Sequence, residues 1–118
     1  MTHGHTAVVA LNAAVALASA VWALVALVRP GRLSGSPDPS FGERYYAHMY
    51  AVRSIPIGVA ACILPITSRG ELAFLLLLFA AGIQAADVLV AIVAGRRQMA
   101  FGAGAATAIH ALCAVAVR

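Results

Sequence analysis

Two opposite charges lie inside otherwise apolar stretches of this 118-residue chain, Arg53 within residues 45–67 and Asp87 within residues 71–94. A carboxylate takes or gives a proton, and a guanidinium orients it or steadies charge developing beside it. Near the centre of a bilayer a charge costs at least about 2–3 kcal/mol, so it is rarely left there without a partner or a task. At about 1.5 Å of rise per helical residue, both residues fall roughly 10–12 Å from the same end of their helices. The depth match predicts an Arg53–Asp87 ion pair.

Other polar residues follow helical spacing around that pair. Glu43, Tyr46, Tyr50 and Arg53 recur at i, i+3, i+7 and i+10, which is one face of a helix. Gln84 precedes Asp87 by three positions, Thr107 precedes His110 by three, and the first apolar stretch carries Asn12 and Ser19. Charged and amide groups find no partner in lipid, so they turn toward a bundle interior. Asp87, Glu43 and Arg53 are thus the candidate catalytic residues, because the ionisation of a carboxyl group responds strongly to burial. Tyr46, Tyr50, Gln84, His110, Thr107 and Asn12 are the candidate substrate-binding residues. Should Arg53 pair fully with Asp87, Glu43 becomes the better acid.

Each feature also has a plain account. The ion pair could only lock one helix to the next, although such pairs add little over apolar packing. Tyr45, Tyr46 and Tyr50 fit a belt of interfacial aromatics, and His110 fits a core residue bonded to Thr107. Pro56, three residues after Arg53, frees the carbonyl of Val52 and could widen a cavity there. No metal and no cofactor is expected, since His48 and His110 differ in depth and no tetrahedral ligand spacing occurs. There is no phosphate-cradling glycine loop and no Ser-His-Asp signature. Cys62 and Cys113 fall near the same end of their helices, either as a disulfide or as small buried hydrophobes.

The elements that must carry these residues follow from composition. The chain is 63% hydrophobic and 10% charged, against about 25% charged in soluble domains. Ala7 to Val28 is free of charge and long enough to cross a hydrocarbon core, which takes about 20 residues. It is read as a retained span rather than a signal peptide, because no Lys or Arg precedes it. The expected fold is all-α: an integral membrane four-helix bundle, up-down-up-down and antiparallel. Its helices lie near 7–28, 45–67, 71–94 and 99–117, in a single transmembrane domain over residues 1–118 with a loop at 29–44.

All eight basic residues are Arg. Arg29, Arg32 and Arg44 lie in the first loop and Arg96 and Arg97 in the third, which the positive-inside rule makes cytoplasmic, leaving both termini outside. The basic balance thus reflects orientation toward anionic headgroups of a bacterial-type plasma membrane. Nucleic acid is excluded as a partner, for no basic face with interleaved aromatics exists. The long first loop, rich in Gly and Pro, is either a connector or a lid, with Asp38 or Ser40 as helix cap. Small residues spaced by four, Ala10/Ala14/Ala18 and Ala100/Gly104/Ala108, suit close packing within the bundle or within a homo-oligomer.

With four helices, a polar aromatic approach to the second, and the Arg53-x-x-x-x-Gly58 element, the chain resembles the DoxX-like group of small bacterial membrane proteins. Among them it is most similar to the DUF4267-type proteins. The resemblance implies the four-helix fold rather than one activity. The small multidrug resistance transporters are similar in length and helix count, but their essential Glu in the first helix has no counterpart here.

Three functions compete. The first is a membrane-embedded binding protein or enzyme for a lipophilic small molecule, using acid–base isomerisation, epoxide opening or cyclisation of an isoprenoid-like substrate. A proton-coupled exporter working as an oligomer is the second, and a non-catalytic accessory subunit the third. Polar groups on all four helices favour the first, since a structural subunit needs only one pair.

Overall fold

In the computed structural model, which describes residues 2–118, the apolar stretches are helical throughout and no described residue is in a strand. The helices are α1 (His3–Val28), α2 (Gly31–Ser34), α3 (Phe41–Thr67), α4 (Glu71–Val93) and α5 (Arg97–Val117). Four of the five are long and apolar enough to cross a membrane. The single-turn α2 is additional to the four expected helices and lies within the first loop.

Local chemistry accounts for the boundaries. Helix α3 begins four residues before the expected start because Ser40 caps it: its Oγ accepts from Glu43 N–H at 3.2 Å. The Glu43 carboxylate in turn accepts from Ser40 N–H at 2.6 Å, which completes a capping box. The other cap candidate, Asp38, takes no part. Helix α4 ends in a Schellman turn, with Gly95 at φ 69° and Arg96 N–H donating to Ala91 O at 2.8 Å.

The interior is built from small residues and the exterior from large ones. Most buried apolar residues are alanines, whereas Leu72, Phe79, Leu89, Val93 and Phe101 are exposed. Small residues let helix backbones approach, and dispersion between close backbones then holds the helices. Gly58 marks the tightest approach, where an added Cβ would lie 2.9 Å from Ala20 Cβ and 3.0 Å from Ala16 O. The packing stripe of α1 is therefore Asn12, Ala16, Ala20 and Ala23. Ala10, Ala14 and Ala18, which spacing offered for packing within the bundle or within a homo-oligomer, are exposed rather than packed within the bundle.

Helix α1 packs most closely on α3 and α4 on α5; these two pairs meet less extensively through α1–α5 and α3–α4. One end of the bundle is closed, with Ala61, Ala73, Leu77, Cys113 and Val117 in one cluster and Gly70 N–H donating to Val117 O at 2.8 Å. Both cysteines are free, Cys113 within that cluster and Cys62 packed against it. At the other end, where α2 sits, the two pairs part.

Candidate functional site

The gap between the pairs is an open cleft of about 1170 Å³, somewhat above the roughly 300–1,000 Å³ usual for small-molecule sites. Val15, Trp22, Val90, Met99 and Ala106 supply apolar wall. Into it face Tyr46 and Tyr50 from α3, Gln84 and Asp87 from α4, and Ser19 from α1. These come from the faces that helical spacing picked out. The first loop contributes Arg32, Leu33 and Ser34 to the lining.

Arg53 and Asp87 are brought together, with Nη2 donating to Oδ1 at 2.9 Å. The geometry is asymmetric. Asp87 lines the cleft and its side chain is 16% exposed, whereas Arg53 reaches it from outside the lining and is 48% exposed. Arg53 also stands 5.8 Å from the centroid of the Tyr50 ring, a cation–π contact that fixes the guanidinium from a second side. The bridge uses Oδ1 alone, so Oδ2 is left for a proton or a ligand in the cleft.

Behind the cleft lies a second, water-sized void of about 10 Å³ bordered by Ser19, Ser54, Gln84 and His110. Ser19 and Gln84 border both spaces. His110 and Asn12, expected in the binding site, lie on the far side of this void in the closed half. Asn12 Nδ2 donates to Ala61 O at 2.8 Å, and His110 Nδ1 is 2.7 Å from Asn12 Oδ1. The reason is in α3 itself. Pro65 has no N–H, so the carbonyl four residues earlier, Ala61, loses its usual helical partner. A carbonyl only accepts; it therefore orients the Asn12 amide, and Oδ1 is left facing His110. His110 must then carry its proton on Nδ1, which leaves Nε2 for the void.

Two further candidates, Thr107 and Glu43, border neither space. Thr107 donates back to Ala103 O at 2.8 Å on its own helix and touches neither space; the pairing of His110 with Thr107 is replaced by Asn12. Glu43 is held in the capping box outside the cleft lining. Its Ser-x-x-Glu spacing was the signal for that role.

Three residues missed as site members are Arg32, Arg96 and Arg97, which border the cleft at its α2 end. Sequence spacing assigned them to topology alone. Arg96 Nη1 donates to Ser34 O at 3.1 Å and thereby ties the α4–α5 turn to α2. Its neighbour Gly35, at φ 78°, leaves the room that this guanidinium fills. No group of three or more His, Cys, Asp or Glu able to hold a metal occurs among the described residues. The chain matches no family model, and neither curated proteins nor solved structures yield a similar protein.

Proposed function

We propose that this is a multi-pass protein of a bacterial-type plasma membrane, up-down-up-down with both termini outside, whose cleft binds a lipophilic, isoprenoid-like molecule for acid–base chemistry at Asp87. The observation that carries this reading is one carboxylate, Asp87, opening with Gln84, Tyr46 and Tyr50 onto an otherwise apolar cleft. Apolar walls take up the body of a ligand, and a few convergent polar groups set its orientation. Large apolar side chains on the outside support the bilayer as surroundings, since water would not tolerate so continuous an apolar surface.

In this reading Asp87 Oδ2 exchanges the proton with the substrate in an isomerisation, ring opening or cyclisation. Arg53 is a positioning residue that holds Oδ1 and turns Oδ2 inward. The hydroxyls of Tyr46 and Tyr50 hydrogen-bond the reacting group or return the proton. Glu43, engaged at the helix cap, has no part in the chemistry.

The test is native mass spectrometry with lipid extraction of purified wild type, Asp87→Asn and Arg53→Gln. A small lipophile that accompanies wild type and is lost from folded Asp87→Asn upholds the pocket. Identical bulk lipid from all three folded proteins sinks it.

A further inference from the structure

Resting on the reading of the cleft as a ligand pocket, we infer that its ligand is a single-chain amphiphile with an anionic head. The head sits at the α2 end between Arg32, Arg96 and Arg97, and the chain runs along the apolar wall toward Asp87.

Charge is the first argument. Three guanidiniums border the cleft against a single carboxylate, Asp87, and that carboxylate is already bonded to Arg53. Arg32 and Arg97 form no ion pair among the described residues, and the side-chain hydrogen bond of Arg96 goes to a backbone carbonyl. Guanidiniums with donors to spare, beside low-dielectric walls, recognise carboxylate or phosphate oxygens. They repel a cation, so the cleft is a poor fit for the cationic lipophiles that a multidrug exporter carries.

Position is the second argument. Orientation in a membrane asks only that Arg lie at one end, and Arg29 and Arg44 satisfy that without bordering the cleft. Arg44 instead donates to Pro39 O at 2.6 Å. Arg32 and Arg96/Arg97 are far apart in sequence, yet the fold sets them around one opening, with Arg96 fixed by Ser34 O. Asp87 lies seven residues from Ala94, about 10 Å deeper along α4. The reacting group of the ligand therefore stands roughly that distance from its charged head.

Trp22 is the sole tryptophan and lies on the cleft wall, so its fluorescence reports what enters. The experiment titrates the full-length protein in detergent with three probes of equal chain length: an ω-bromo fatty acid, the ω-bromo alcohol, and the ω-bromoalkyl trimethylammonium. Bromine quenches the indole on contact. The inference expects saturable quenching by the acid, weaker quenching by the alcohol, and none that saturates by the cation. Arg32→Gln with Arg97→Gln should weaken the acid about tenfold, as the loss of a charge-assisted hydrogen bond does, and leave the alcohol unchanged. Arg29→Gln, which removes one charge at the same end outside the cleft lining, should leave both unchanged.

Equal saturable quenching by all three probes overturns the anionic head but leaves the pocket standing. An effect of Arg29→Gln as large, per charge removed, as that of the double variant also overturns it, because the attraction would then be diffuse. Quenching that rises without saturation for every probe is mere partition into detergent, and it overturns the pocket as well. Should the double variant fail to fold, the ranking of the three probes on wild type decides alone.

Discussion

The two ends of this bundle each hold a polar pair between helices, and the pairs are built on opposite principles. In the closed half Asn12 and His110 are 0% and 2% exposed, and each hydrogen bond there discharges a need created by the chain. Pro65 orphans a carbonyl, Asn12 satisfies it, and His110 satisfies Asn12. In the open half Arg53 and Asp87 meet through one oxygen, with 48% of the Arg53 side chain and 16% of Asp87 still exposed. In the closed pair the amide nitrogen, the amide oxygen and the imidazole Nδ1 are each engaged with another protein group. The open pair keeps a carboxylate oxygen free against a large cleft. Satisfied buried groups hold a structure together, and unsatisfied accessible ones are available for a ligand.

The difference is sharpest under substitution. Asn12→Leu leaves the Ala61 carbonyl and the His110 N–H both unpartnered in a dry interior. The expected loss is about 2–6 kcal/mol of stability, at roughly 1–3 kcal/mol for each unsatisfied group, read by denaturant unfolding in detergent. Gly58→Ala comes next. Its methyl group would meet Ala20 Cβ at 2.9 Å, so overpacking should cost about 1–3 kcal/mol in the same assay. A smaller effect is the coupling between Asn12 and Pro65. Pro65→Ala restores an N–H for the Ala61 carbonyl, so the penalty of Asn12→Leu should shrink by about 1 kcal/mol in that background. Additive penalties would disprove the link between the proline and the amide. The smallest change belongs to Arg53→Gln in the open half, expected to shift stability by about 1 kcal/mol or less, because the Gln amide can still donate to Asp87 and a typical hydrogen bond nets about that much. Unfolding by Arg53→Gln as severe as that by Asn12→Leu would erase the contrast between the two ends.

Much of the helical plan was legible because apolar length and charge are local properties. The uncharged run from Ala7 to Val28 and the helix-breaking Pro30 allow little else, and α1 does end at Val28. The match in depth of Arg53 and Asp87 follows from a fixed rise per residue, and the two meet at 2.9 Å. Other residues could be placed only by the partner helix. Thr107 has the spacing of a site residue, yet its hydroxyl turns back to Ala103 O on its own helix. The row Ala10, Ala14, Ala18 has the spacing of an interface, but the contact forms one face over, where Ala16 and Ala20 meet Gly58. An alanine-rich helix offers several such faces at nearly equal cost, so packing against α3 chooses among them.

By itself, then, the sequence determined the number and rough limits of the long helices, a helix cap at Asp38 or Ser40, and the two charges that must find company. Each follows from the covalent chain and from hydrogen bonds within a few residues. Only the tertiary structure decided that Asn12 answers Pro65, that His110 stands behind the cleft, and that Arg32, Arg96 and Arg97 surround one opening. Those outcomes depend on which faces two helix pairs present to each other and where they part. Helices built largely from alanine leave that choice to the contacts of the whole bundle.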